Sequence, residues 1–377
     1  MTTNKVDDNA VNNLFLKVLF FSGLTGLLFG LSNATWQVSV ETGQVLAGLV
    51  KYPLDNPFYI YHMKAFTIVN HISALLLRLN LSERFLSFVI SGILGMVSFQ
   101  ALSILILAIS RSVFAALFGV ILIYLANYVG DGAVYPIWLL GQPHTYGIIG
   151  LSFVVLTIAL IGAGMYRPAL FCLGLAPCVH FSLGMWTIFI IAVASLFQIG
   201  FTKEIVRKYY AYFLAGMIIF VGLFSYQLYL IHQLPKFDHG TINQYFDSYI
   251  KYWGSHQRKL FWDFASAETR FKRFGILFCI YSIIMSFFCL RLYKDIKPLQ
   301  LLFRIIMTWG ILSLIFGFIT QLPPENMPKI LLMLMPGRYL NLSNLVITAC
   351  LFAALTNEQN KQYVVNYNIF VIFLIFS

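Results

Sequence analysis

Glu41 follows a long apolar stretch, Leu14–Leu31, by only a few residues, in Trp36-Gln-Val-Ser-Val-Glu41-Thr-Gly-Gln44. A partly desolvated carboxylate can take the proton of a hydroxyl while that hydroxyl forms a new bond. The competing reading is plain: an acid marks the polar face of a surface helix. Asp131, in Asn127-Tyr-Val-Gly130-Asp131-Gly132, offers a second carboxylate. It either supports the same chemistry or closes an ordinary Gly-Asp-Gly turn on its own backbone. His144, in Gln142-Pro-His144-Thr-Tyr-Gly, and His180, in Pro177-Cys-Val-His180-Phe-Ser-Leu-Gly, stand at the ends of apolar segments. Ionisable groups there usually line a cavity, although a neutral imidazole can also bond a nearby carbonyl. Two histidines without a third ligand do not indicate zinc. The five cysteines lie in apolar segments without CxxC spacing, so no disulfide framework or zinc site is indicated either.

Two basic segments could hold an anion. In Pro336-Gly337-Arg338-Tyr339-Leu340-Asn341, a proline and a glycine interrupt an apolar run just before Arg338 and Tyr339. The planar guanidinium can grip two phosphate oxygens at once, or it can snorkel beside Tyr339 as an interfacial anchor. The second segment joins Tyr252-Trp253-Gly-Ser-His256-Gln-Arg258-Lys259 to Phe261-Trp262-Asp263. Aromatic rings interleaved with Arg258 and Lys259 could stack on a sugar and hold its phosphate. A basic amphipathic helix resting on a bilayer reads the same way.

The elements that must position these groups are membrane helices. Hydrophobic residues make up 59% of the chain and charged residues only 10%, too little charge to keep a soluble domain of this size in solution. Apolar runs recur at 14–31, 85–108, 113–128, 146–164, 168–178, 183–197, 209–230, 274–290, 299–319, 342–355 and 364–376. They predict an all-α polytopic membrane protein of roughly 10–11 transmembrane helices. The short run at 168–178 suggests a half-helix that meets its neighbour near the surface, where irregular backbone can line a cavity. The last run reaches Ser377 without a polar tail, so either the sequence is truncated there or its last helix stops at the far face. The flank of the first run mixes Lys5 with Asp7 and Asp8, a poor pattern for a cleaved signal peptide. No repeat or linker divides the chain, and residues 1–377 read as one transmembrane domain. Its first external loop is 34–84 and its largest is 232–272. The first is too polar to span and too apolar for a soluble loop, which predicts interfacial helices with the apolar face down and the polar face to water. Placing both loops outside divides the 25 Lys and Arg almost evenly, so charge bias alone does not orient the chain. The basic residues are scattered along the chain, which argues for lipid headgroups or an anionic substrate and against nucleic acid.

In order and spacing, residues 36–92 resemble the first external loop of the GT-C superfamily, the multi-pass glycosyltransferases that use polyprenyl-phosphate sugars. The resemblance is carried by Glu41, by Pro53 and Pro57, and by Asn80-Leu-Ser82-Glu83-Arg84-Phe-Leu-Ser87. It implies transfer of a sugar from a lipid-linked donor to an acceptor on the external, periplasmic or lumenal face, by inverting displacement. Under it Glu41 is the base and Asp131 a second external acid that serves the acceptor or a metal. Arg338 and Tyr339 stand at the donor phosphate. The expected setting is a bacterial inner membrane or its equivalent, with the lipid-linked donor and membrane lipids as partners. No cofactor is expected; a divalent metal is compatible with the resemblance but is not indicated by the sequence. Two other classes fit the pattern: a lipid-linked polysaccharide polymerase or ligase, and a transporter or flippase. The latter would place ionisable residues within span interiors.

Overall fold

The computed structural model describes residues 8–129, 146–235 and 269–319, with isolated positions beyond them. It is an all-α polytopic membrane protein, with no β-strand among the described residues. The helices are α1 (Asp8–Ser32), α2 (Val38–Leu46), α3 (Pro57–Lys64), α4 (Ile68–Arg78), α5 (Glu83–Ser110) and α6 (Val113–Val129). They continue as α7 (Tyr146–Gly162), α8 (Tyr166–Val179), α9 (Phe181–Leu196), α10 (Ile199–His232), α11 (Thr269–Leu292) and α12 (Lys297–Ile319). Within the described residues, segments of α1, α5, α10 and α12 are long and apolar enough to cross a bilayer. The apolar helices of α6–α9 and the described part of α11 are shorter.

Lipid gives no hydrophobic drive for one helix to join another, so close backbone approach and buried hydrogen bonds must hold the bundle. Both are present. α1 lies along α5 with Gly26 against Gly95, where a methyl group on either residue would strike the other helix's backbone. Between α5 and α7, Ser98 and Ser152 hydroxyls share a hydrogen bond of 2.9 Å. Their two protons serve these contacts in turn: one hydroxyl donates to the other, which donates to a carbonyl of its own helix, Leu94 for Ser98 or Ile148 for Ser152. Around this seam Leu105, Ile109, Leu151, Ile158, Leu302 and Phe303 form the buried apolar core.

The bundle has two distinguishable ends. α2, α3 and α4 cover one of them, the loop face, together with the start of α7 and the end of α10. Gln227 of α10 donates its side-chain N–H to the Met63 carbonyl, and Leu234 packs with Val45 and Met63. Phe66 meets Phe220 and Phe224 in the same region. At the opposite, basic face, Gln198 Nε2 donates to the Lys297 carbonyl at 3.4 Å, and Gly164 touches Pro298. The α7–α8, α9–α10 and α11–α12 turns therefore meet there. Loop 34–84 and the residues that open loop 232–272 share one face, with Lys203, Arg207 and Lys208 toward the other. With 34 residues, α10 is about 51 Å long and exceeds the roughly 30 Å hydrocarbon core. Its basic first turns accordingly project beyond the apolar layer.

The first loop is helical as its composition predicts, but its amphipathic sense is partly reversed. α4 turns Asn70, Ser73, Ala74 and Leu77 into the protein and exposes Ile72, Leu75 and Leu79. The expectation of polar residues toward water fails for this helix. Its small polar side chains face α2, whose Gly43 packs on Ser73 and Ala74, and its bulky apolar ones face outward. A helix with an apolar outer face and a polar face turned into the protein suits the lipid boundary.

Candidate functional site

Glu41 lies in the first turn of α2, and this turn is fixed from several directions. The Gln37 backbone N–H donates to Ser87 Oγ of α5 at 3.3 Å, and its side-chain Nε2 donates to Ser91 Oγ at 2.9 Å. Gln44 donates to Glu83 Oε1 at 3.1 Å, and Arg78 donates to the Leu46 carbonyl at 2.8 Å. The carboxylate itself accepts from the indole N–H of Trp36, Nε1 to Oε1 2.8 Å. Among the described residues, Oε2 has no hydrogen-bond partner. Trp36 is 42% exposed, so an indole and a carboxylate stand joined at the open surface of the loop face.

Directly beneath them is a buried polar relay. Thr42, completely buried, shares hydrogen bonds with His62 Nδ1 at 2.8 Å and with the Tyr146 hydroxyl at 2.5 Å. The Tyr146 hydroxyl also reaches the Val38 carbonyl at 3.5 Å, and Asn70 stands beside it. Burial holds the His62 imidazole below its ordinary pKa, against the smaller opposing pull of the Glu41 carboxylate. His62 is therefore a neutral imidazole at neutral pH. Proton order along Tyr146, Thr42 and His62 can run in either direction, depending on the His62 tautomer. His71, on α4 beside the Tyr226 ring, is likewise held low by burial, partly offset by Gln227.

His180 occupies the single-residue break between α8 and α9, with extended backbone. Its Nδ1 accepts from the Leu183 backbone N–H at 3.4 Å, capping α9. The ring and its Cβ lie against Gly150 of α7, where no larger residue fits. Gly150 is one helical turn from Tyr146, so His180 sits about 6 Å deeper along the same face of α7 than the Thr42 relay. The α8 helix of 14 residues is about 21 Å long, short of the hydrocarbon thickness, and α4 packs across its end. A short helix that ends at a break before its neighbour is what the run at 168–178 predicts, and α4 of the first loop contacts it.

Of the residues singled out in the sequence, Glu41 and His180 lie on the loop-face side. Asp131, His144, Arg258, Lys259, Arg338 and Tyr339 lie outside the described residues. Pro57 starts α3 behind Asn56, whose Oδ1 accepts from the Phe58 N–H at 2.9 Å. Asn80 takes a left-handed φ of 65° that ends α4, and Ser82 Oγ accepts from the Phe85 N–H to start α5. The Asn80–Ser87 stretch therefore does local structural work in closing one helix and opening the next. Sequence reading passed over Trp36, Thr42, His62, Asn70 and Tyr146. The available signal was the placement of Asn70 and Ser73 on one face of α4, opposite Ile72 and Leu75. It also passed over Arg304, two turns inside α12, whose Nη2 reaches only Gln300 at 3.4 Å and whose Nε is buried without a partner.

Among the described residues, no three of His, Cys, Asp and Glu come together as a metal site. What the loop face offers is a surface carboxylate oriented by an indole, over a neutral and fully connected hydroxyl–imidazole relay. No known protein family, curated protein or solved structure matches this chain.

Proposed function

We propose that this protein is a membrane glycosyltransferase that moves a sugar from a polyprenyl-phosphate donor to an acceptor hydroxyl on the loop face, taken as external. The observation that carries the reading is Glu41 at the membrane exit, aimed by Trp36 and with one oxygen open. In the proposed step the acceptor oxygen attacks the anomeric carbon from the side opposite the phosphate. Its proton passes to Glu41 Oε2. The bond from the anomeric carbon to phosphate breaks, its electron pair leaves on the phosphate oxygen, and the products are the inverted glycoside and polyprenyl phosphate. Phosphate is already a competent leaving group, so positive charge near it can replace a general acid. Arg338 with Tyr339, or Arg258 with Lys259, are the proposed donors of that charge. Asp131 and His144 are proposed to complete the acceptor side, and His180 to close its floor. The exposed Trp36 ring offers a sugar an apolar platform next to the base.

Glu41→Gln tests this directly, because the amide keeps the indole contact and cannot take a proton. Purified variant protein should lose about a hundredfold or more in transfer rate, the usual worth of general-base catalysis, and keep donor binding. Near-full activity in Glu41→Gln would remove Glu41 from the chemistry. A transporter or flippase is the second reading, and Arg304 is the observation that favours it, since a weakly partnered cation within a spanning helix often marks a translocation path. Donor-dependent glycoside formation by the purified protein separates the two.

A further inference from the structure

At the basic face, away from the proposed sugar-transfer site, α7, α8, α9, α10 and α12 enclose a cavity of about 290 Å³. That is the lower edge of the usual range for small-molecule sites, roughly 300 Å³ and above. Its walls are apolar side chains, including Leu170, Leu173, Ile191 and Phe213. Val206 and Tyr210 also line it and are 50% and 56% exposed on the flank of α10, so the cavity opens sideways, toward lipid. The buried Tyr166 hydroxyl, on another lining residue, has no hydrogen-bond partner. That hydroxyl is itself buried and the cavity surface is wholly apolar, so Tyr166 presents only its ring to the space.

Cations stand at the same face of the bundle. The Tyr166 ring lies 5.9 Å from Phe201 and 6.2 Å from Tyr209. Lys297 Nζ stands 5.6 Å from the Phe201 ring centre, and Lys208 Nζ 5.3 Å from that of Tyr209. Arg167, Lys203 and Arg207 are exposed nearby, and the described acids of this face are Glu204 and Asp295. An apolar pocket open to the bilayer and an excess of positive charge at the same face together describe an amphiphile with a negative head. We propose that this cavity binds one anionic glycerophospholipid of the surrounding leaflet. Its acyl chain enters between α8, α9 and α10, and its phosphate is held at the basic face by Lys208 and Lys297.

The test is native mass spectrometry of the purified full chain in neutral detergent, with phosphatidylglycerol and phosphatidylcholine offered in equal amounts. The parent should retain one phosphatidylglycerol in preference to phosphatidylcholine. Lys208→Gln and Lys297→Gln should each reduce that preference by roughly fivefold, the usual worth of a basic side chain beside an anionic headgroup, and together abolish it. Ser195→Phe, which fills the cavity, should lose both lipids. If it does not fold, the two exposed lysine substitutions still decide the matter. Equal retention of the two lipids by the parent overturns the proposal, as does a preference that survives the double lysine substitution. Displacement of phosphatidylglycerol by a lower concentration of polyprenyl phosphate overturns it too, by making the site an isoprenoid one.

Discussion

The Trp36 indole donates to Glu41 across 2.8 Å, five residues along a chain that turns from the end of α1 into α2. This bond spans the membrane exit and fixes which oxygen of Glu41 is engaged. It makes Trp36 a positioning residue for the proposed base, separate from its place in an interfacial aromatic belt.

Trp36→Phe keeps the apolar ring and removes the donor. A hydrogen bond to a charged group is worth about 1.5–3 kcal/mol, so transfer should fall by roughly ten- to a hundredfold while the protein keeps its thermal stability within a few degrees. Steady-state kinetics read the difference between positioning and folding: loss of the bond should lower kcat and keep the donor KM, whereas a merely structural role would lower the yield of folded protein and leave kcat in place.

The His62 imidazole is buried and its pKa is lowered from the ordinary 6.5. The unfolded chain therefore binds this proton more readily than the folded one. The stability it secures is complete above pH 6.5 and is lost as pH falls from there toward the lowered value. His71 acts in the same direction. Thermal unfolding of the purified protein from pH 8 to pH 5 should show a falling midpoint below about 6.5, and His62→Gln should flatten that dependence. An unchanged slope in His62→Gln would place the titration elsewhere.

Gly26 and Gly95 allow α1 and α5 to touch backbone to backbone. Gly95→Leu should separate them at a cost of about 1–3 kcal/mol or more, with earlier loss of monodisperse protein on heating in detergent. Gly48→Ala is the control for a glycine with open space around it, although its positive φ of 76° makes the control itself slightly strained.

The two faces of the bundle predict labelling. Cysteines placed at Ser82 and Lys203, both exposed, should react with an impermeant thiol reagent from opposite sides of the membrane, against a background of native cysteines that are buried. Reaction of Ser82→Cys and Lys203→Cys from the same side would overturn the span order.

The sequence alone determined that the chain is a helical membrane protein and where its apolar helices run up to 319, the runs at 342–355 and 364–376 lying outside the described residues. That information is local: about twenty apolar residues must cross a bilayer as a helix, because no other backbone there satisfies its own hydrogen bonds. The break near His180 and the helical first loop were equally legible, from a run too short to span and a segment too polar to enter. Pairing was decided elsewhere. Thr42, His62 and Tyr146 belong to three helices, and nothing in their spacing ties them together until α7 stands beside α2. The inward turn of Asn70 and Ser73 depends on the neighbour that α4 meets, because periodicity separates the faces of a helix without saying which is covered. The cavity beneath Tyr166 is bounded by five helices whose ends meet only in the folded bundle. It exists because bulky apolar side chains from those ends leave a gap there, a volume that no single segment encodes.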